Sequence, residues 1–239
     1  MSTWRGAKLL TRYEWAMAGY GVIFNLILIL YFLLFMTPLF IELRDVKDSS
    51  HFNGWMPNFI MLALIPCFGF FMNRASFNSW RVDHMSHRLA DLRRLPISYR
   101  QIAAGKLLTV VSLLIPSLVL ILLLHYLLFL HQILTPLQML NYSLFWLGYG
   151  VLGSCIYALF EIMMTGKQYT ILCIIFVVVF LGTCFAMMQA QWSIVLWTLE
   201  FAESGNWLPS LLAIAAGIMT AAFIYKLMAK LLSRRSLMG

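Results

Sequence analysis

A few side chains in this chain have types and spacings that could support chemistry. His84 and His87 are three residues apart, and Gly153-Ser154 offers a small residue beside a hydroxyl nucleophile. A zinc site would need more ligands, as in an H-E-x-x-H helix, and no cysteine lies near these histidines. A serine nucleophile would need a histidine base on another helix, and the last apolar stretch contains none. The sequence therefore predicts no enzyme activity, no catalytic residues and no metal site.

The cysteines and the ionisable groups in apolar segments give little further evidence for chemistry. The four cysteines lie in apolar segments without C-x-x-C spacing, which favours a packing role: Cys67, Cys155, Cys173 and Cys184. His125 and Glu161 are ionisable groups in apolar segments, and the sequence leaves their roles open. Glu161 could hold an arginine as a conformational latch, although a carboxylate at headgroup level is favoured. The scarcity of buried charge argues against proton or sodium coupling and for an external energy source.

The composition places these side chains in a membrane protein. Of the 239 residues, 62% are hydrophobic and 11% are charged, whereas a soluble domain is about half apolar and about a quarter charged. A hydrocarbon core roughly 30 Å thick takes about 20 helical residues to cross. The stretches of that kind are residues 15–40, 55–72, 102–130, 140–164, 170–188 and 207–232. The sequence predicts an all-α integral membrane protein with six transmembrane helices in one domain, residues 1–239.

Three further features accompany the spans. A helix over residues 1–15 would place three basic residues on one face and apolar residues on another, the pattern of an interfacial helix. Residues 189–206 are apolar but too short to cross twice, which predicts a re-entrant segment in the outer leaflet. Pro116 predicts a kink in the third span. The fourth span contains small residues that would allow close helix approach: Gly148, Gly150, Gly153 and Ser154.

The Lys and Arg residues are distributed very unequally between the two sides of the membrane. Only Arg44 and Lys47, of the seventeen Lys and Arg residues, fall between the first and second spans, in the segment expected outside the cell. The other basic residues precede the first span, follow the last, lie in the loops expected on the opposite side, or lie within the spans near the ends that face that side. By the positive-inside rule, both termini and the loop between the second and third spans face the cytoplasm. The net charge of +8 is thus explained by topology and by contact with lipid headgroups, and it indicates no nucleic-acid partner.

That loop, residues 73–101, is called the connector below. It holds six of the seventeen basic residues. Apolar residues recur in it at spacings of three, four and three, which predicts an amphipathic helix: Val82, Met85, Leu89 and Leu92. The helix should end before Pro96, because the residue before a proline avoids the helical region. Ser98 stands three residues before Gln101, a capping-box spacing that should begin the third span.

The run LADLRRLPISYRQIAAGKLL, residues 89–108, resembles the cytoplasmic connector of ABC-2-type transporter permeases, the membrane subunits of ATP-binding-cassette exporters. The matching elements are Leu95-Pro96-Ile97-Ser98 and Gly105-Lys106-Leu107-Leu108. The resemblance implies a coupling helix seated on a separate ATPase. The coupling residues would be Val82, Met85, Leu89, Leu92, Arg93, Arg94, Leu95, Pro96, Ile97 and Ser98. No G-x-x-x-x-G-K-[ST] loop is present in the sequence, so ATP and Mg would bind to the partner ATPase.

The resemblance implies a permease subunit that moves a hydrophobic or amphipathic substrate, such as a peptide, a drug or a lipid. It would work in a bacterial plasma membrane with a second permease, a copy or a paralogue, and with ATPase subunits. The alternative is a non-transporting immunity or scaffold protein that binds an antimicrobial peptide and recruits partners. The sequence leaves open the substrate, the direction of transport and whether the permease dimer is homomeric.

Overall fold

A computed structural model describes residues 3–45, 55–71, 92 and 97–234. All regular secondary structure in these ranges is helical, and short turns join the helices. The α-helices are α1 (Thr3–Ala18), α2 (Gly21–Asp45), α3 (Trp55–Leu64), α4 (Tyr99–Leu128), α5 (Pro136–Met163), α6 (Gly166–Gln189), α7 (Ile194–Glu203) and α8 (Leu208–Arg234). Short 3-10 helices cover Ile65–Gly69 and Leu130–Gln132. The predicted all-α class is confirmed for these residues.

Five helices are long and apolar enough to cross a membrane: Gly21–Leu39 of α2, and α4, α5, α6 and α8. The second predicted span is shorter. There α3 gives way after Leu64 to a 3-10 helix that has Pro66 in its first turn, where the missing proline N–H disrupts α-helical bonding. Together the two pieces extend roughly 25 Å, less than the hydrocarbon thickness of about 30 Å. The described residues therefore form five long apolar helices and one short one, and a full span at residues 55–72 stays a prediction.

Three long helices begin at the same local motif, a Ser or Thr followed three residues later by Gln. The pairs are Ser98 and Gln101 for α4, Thr135 and Gln138 for α5, and Thr165 and Gln168 for α6. In each pair the glutamine carbonyl oxygen accepts the cap residue's N–H, at 2.8, 2.9 and 3.1 Å. Because the caps satisfy donors that a helix start leaves free, each helix begins a few residues before its predicted apolar span.

The boundary between the first two helices also differs from the prediction. Residues 1–15 were expected to form an interfacial helix, with the first span beginning at Trp15, but α1 continues to Ala18. The break falls at Gly19, whose φ is +48°, a left-handed conformation that glycine adopts without the steric cost of a side chain. Trp15 is therefore a residue of α1, and this places its side chain on α4, as described below.

Small residues bring the helix backbones of α5 and α8 into contact. A Cβ added at Gly148 would lie 2.4 Å from the carbonyl carbon of Ala213, and one added at Gly217 would lie 2.8 Å from the carbonyl oxygen of Gly148. On another side of α5, Ser154 Oγ donates a hydrogen bond of 2.7 Å to the carbonyl oxygen of Pro66. The close approach predicted for the small residues of the fourth span is confirmed, and Ser154 is a packing residue there.

The bundle has two apolar cores. One joins α2, α3, the second half of α4, the first half of α5 and α7. The other lies at the end of the bundle where α4 begins and where α5 and α8 end, and it contains Leu10, Ile102, Ala158, Met228 and Leu232. We call this the basic end, because the helices there carry the described basic residues Arg5, Lys8, Arg12, Arg100, Lys106, Lys167, Lys226, Lys230 and Arg234.

At the opposite end, α7 occupies the segment that was predicted to re-enter the membrane. Asn58, which is buried, fixes its start: the side-chain oxygen of Asn58 accepts hydrogen bonds from Ser193 Oγ at 2.8 Å and from the Val195 N–H at 3.2 Å. A buried amide that satisfies two donors makes this attachment specific. The depth of α7 in the membrane stays a prediction.

Candidate functional site

The predicted coupling residues fall only partly within the described ranges. Leu92, Ile97 and Ser98 are described. The remaining ones lie outside the described residues, and their role stays a prediction: Val82, Met85, Leu89, Arg93, Arg94, Leu95 and Pro96. Leu92 is helical, and both Leu92 and Ile97 are partly buried against the core of the basic end. The described part of the connector therefore packs on the helical bundle.

The downstream root of the connector is Ile97-Ser98, where the chain enters α4. Ser98 Oγ accepts a hydrogen bond of 3.3 Å from the Gln101 N–H, and the Ser98 N–H donates to Gln101 Oε1 at 2.8 Å. The predicted capping box is thus confirmed. Gln101 is itself held in place, because its side chain lies over Gly6 of α1, where a Cβ would be 2.6 Å from Gln101 Cδ. Gln101, which caps the root, is therefore in direct contact with α1.

Helix α1 packs along the first half of α4 through small residues. A Cβ at Gly105 would lie 2.9 Å from Leu10 Cβ, and Thr11 Oγ1 is 3.3 Å from the carbonyl oxygen of Gly105. The opposite face of α1 is exposed and carries Trp4 and Tyr13 together with basic residues. This amphipathic division fits the predicted interfacial helix, and its position in the headgroup layer stays a prediction.

The upstream root is Phe70-Phe71, the last described residues before the connector. Asn25 Nδ2 of α2 donates a hydrogen bond of 3.0 Å to the Phe70 carbonyl oxygen. The Phe71 ring meets the Trp15 ring edge to face, with centroids 5.1 Å apart. Trp15 Nε1 in turn donates to Ser112 Oγ of α4 at 3.0 Å. One tryptophan of α1 thus contacts both the upstream root and α4.

A charged contact joins the same region to α5. Lys106 Nζ of α4 lies 2.7 Å from Glu161 Oε1, and the two side chains are only 11% and 19% exposed. Lys106 Nζ also lies 5.7 Å from the centroid of the Phe70 ring, within the range of a cation–π contact. Glu161 is therefore paired and is not bonded to a described arginine, while its depth relative to the headgroups stays a prediction. Its described partner is a lysine within a span.

We call the two roots and the side chains that contact them the junction. The junction brings together α1, α2, α4 and α5 around the points where the connector leaves and rejoins the bundle. The residues that sequence reasoning did not assign to it are Gly6, Trp15, Asn25, Phe70, Phe71 and Lys106. No nucleophile–base pair is formed at the described residues of the junction. Compared with family models, curated proteins and solved structures, the chain has no match in any of the three.

Proposed function

We propose that this chain is the transmembrane permease subunit of an ATP-binding-cassette exporter, powered by a separate ATPase subunit. The observation that carries the proposal is the junction. At the upstream root of a long, basic connector, Phe71 contacts Trp15 of α1 and Phe70 lies beside Lys106 of α4. At the downstream root, the cap partner Gln101 of α4 packs on Gly6 of α1. A loop that only joined two spans would need no such attachment, whereas a force-transmitting element needs both of its ends held by the parts that it moves.

The contacts provide a route for that movement. A displacement of the connector acts on the Ser98 cap and so on α4, a continuous helix of 30 residues that contains Pro116. Lys106 connects α4 to α5. The backbone contact between Gly148 and Gly217 then connects α5 to α8. Packed interfaces pass on small shifts because close-packed groups have few intermediate arrangements.

The proposal places the basic end in the cytoplasm, where ATP is available. A thiol-labelling scan should therefore modify cysteines introduced near Ser50 and Gly205 from outside the cell. Cysteines near His87 and Ser236 should react only after permeabilisation. The reason is the distribution of Lys and Arg, which orients polytopic proteins. Labelling near His87 in intact cells would contradict both the orientation and the role proposed for the connector.

The substrate proposed is hydrophobic or amphipathic, a peptide, a drug or a lipid. The long apolar helices carry few charged side chains, and Glu161 already pairs with Lys106. A strongly charged substrate would need compensating charges at membrane depth. The pathway would lie between this permease and a second one, a copy or a paralogue, and the exposed apolar sides of α6 and α8 leave room for such a neighbour or for lipid.

The direct test is purification of the tagged chain from its native membranes. We expect a phosphate-loop ATPase to copurify, and we expect ATP hydrolysis by the complex but not by the chain alone. Reversing two connector charges, Arg93→Glu with Arg94→Glu, should reduce the recovered ATPase. The matched control, Lys226→Glu with Lys230→Glu, changes two exposed basic residues of α8 at the same end and should not.

Two outcomes would count against the proposal in different ways. If no nucleotide-binding chain copurifies with the wild type, the scaffold or immunity protein is the better account. If the Arg93 and Arg94 variant assembles as well as the control, those arginines contact anionic lipid, where each contributes about 1 kcal/mol. The coupling role would then have to rest on the apolar residues of the connector.

A further inference from the structure

The ion pair at the junction leaves half of its carboxylate unused. Lys106 Nζ bonds to Glu161 Oε1, but Oε2 is buried and has no hydrogen-bond partner among the described residues. Buried carboxylate oxygens are normally bonded, since desolvation is costly when nothing replaces water. This conformation therefore holds Glu161 in a partly satisfied state.

The pair also lies beside the upstream root of the connector and on the helix that begins at the downstream root. Lys106 follows Ser98 by eight residues, which is about 12 Å along α4. Its ammonium group faces both Glu161 of α5 and the ring of Phe70 at the upstream root. A shift of Phe70 relative to α4 would therefore alter the surroundings of Lys106 directly. No other ion pair between described residues links α4 to α5.

The energetics of such a pair suit a contact that opens and closes. In a low-dielectric setting the attraction between two charges is largely offset by the cost of removing them from water, so a buried pair contributes little net stability. Opening it without compensation leaves two charges exposed to an apolar surrounding. The pair thus resists random opening, yet it can exchange when a movement supplies new contacts.

We infer that Lys106 and Glu161 form a latch that is closed in this conformation and must open in each transport cycle. The inference rests on the proposed function. Movement of the connector shifts its two roots, α4 moves relative to α5, and Lys106 separates from Glu161. The two residues are positioning residues, because they control the relative placement of α4 and α5 and touch no nucleotide.

The test joins the two positions covalently. The four native cysteines are replaced by alanine, Lys106→Cys and Glu161→Cys are introduced, and a short, cleavable bifunctional thiol reagent links them in the purified complex with its ATPase. We expect ATP hydrolysis to fall about tenfold or more, because the linked protein cannot populate the open state. Cleavage of the reagent should restore hydrolysis. Equal hydrolysis by the linked and cleaved protein would overturn the latch.

Charge exchange gives a second measurement that does not depend on the reagent. Lys106→Glu or Glu161→Lys alone sets two like charges together, so the latch cannot close again. Because the cycle needs both the closed and the open state, each single variant should reduce hydrolysis by the complex. The double variant, Lys106→Glu with Glu161→Lys, restores the pair in reverse and should recover to within about twofold of the wild type. Lys167→Glu, an exposed charge at the same end, is the matched control. A double variant no better than the single ones would contradict the pairing.

Measurements on the wild-type complex distinguish failure of the proposed function from failure of the latch. If no ATPase subunit joins the wild-type chain, the proposed function fails, and the latch fails with it. If the wild-type complex hydrolyses ATP and the linked complex does so equally, the latch alone is wrong, and α4 and α5 move as one body at this end.

Discussion

Replacing Gly148 with alanine is expected to destabilise the bundle by roughly 1–3 kcal/mol, the usual cost of overpacking a close-packed site. The added Cβ would lie 2.4 Å from the carbonyl carbon of Ala213, 2.5 Å from its oxygen and 2.6 Å from the nitrogen of Ile214. These are backbone atoms of α8, so no side-chain rotation can make room. The two helices would have to separate, which would also weaken the link from α5 to α8.

The measurement is thermal unfolding of the purified protein in detergent. For a chain of this size the expected cost corresponds to a Tm lower by roughly 2–12 °C. Gly182→Ala is the matched control, since it lies within α6 and a Cβ there has no neighbour within 4 Å. That variant should be unchanged or more stable, by up to about 1 kcal/mol, because alanine is the better helix former. Equal stability of the two variants would contradict the tight contact between α5 and α8.

The features that could be predicted are those with local causes. Long apolar runs require helices in a membrane, so the all-α class followed from composition. The capping box at Ser98 needs only residues three apart, and it is present. The same motif recurs at Thr135 and Thr165, where it sets the starts of α5 and α6. Together the three pairs locate the starts of α4, α5 and α6 more closely than the apolar runs do.

The features that could not be predicted have long-range causes. Residues Lys106 and Glu161 are 55 positions apart, and no local pattern shows that α4 and α5 bring them together. Trp15 was expected at a membrane boundary, and its hydrogen bond to Ser112 spans 97 positions. Gly6 was not singled out and Gly105 was named only as part of the family resemblance, although both let α1 approach α4 closely. Such contacts depend on how whole helices pack, which amphipathic periodicity alone does not fix.

The second large effect is expected in the connector, where two substitutions should separate docking from coupling. Leu89 and Leu92 lie on its predicted apolar stripe, and Leu92 packs against the core of the basic end. Full burial of a leucine contributes roughly 1.5–3 kcal/mol, so Leu89→Asp with Leu92→Asp should cost several kcal/mol of packing. A loss of that size shifts the equilibrium by about a hundredfold or more toward a connector detached from the bundle, and a detached connector cannot present a fixed surface to the ATPase. We expect this variant to fail at assembly with the ATPase.

Pro96→Ala should act differently. The sequence places Pro96 in the turn between the connector helix and the Ser98 cap, and alanine would allow the two helices to merge or to change their relative angle. The apolar stripe would remain, so the ATPase should still bind and hydrolyse ATP. Movement would no longer reach α4 through the cap, and transport should be lost.

The most direct measurement is the amount of ATPase recovered per chain, with its hydrolysis rate, for the wild type and these two variants. The account predicts an active ATPase with the wild type, almost none with the leucine variant, and an active but non-transporting complex with Pro96→Ala. Full recovery of a working ATPase with the leucine variant, or transport by both variants at the wild-type rate, would contradict the claim that the connector couples this chain to its energy source.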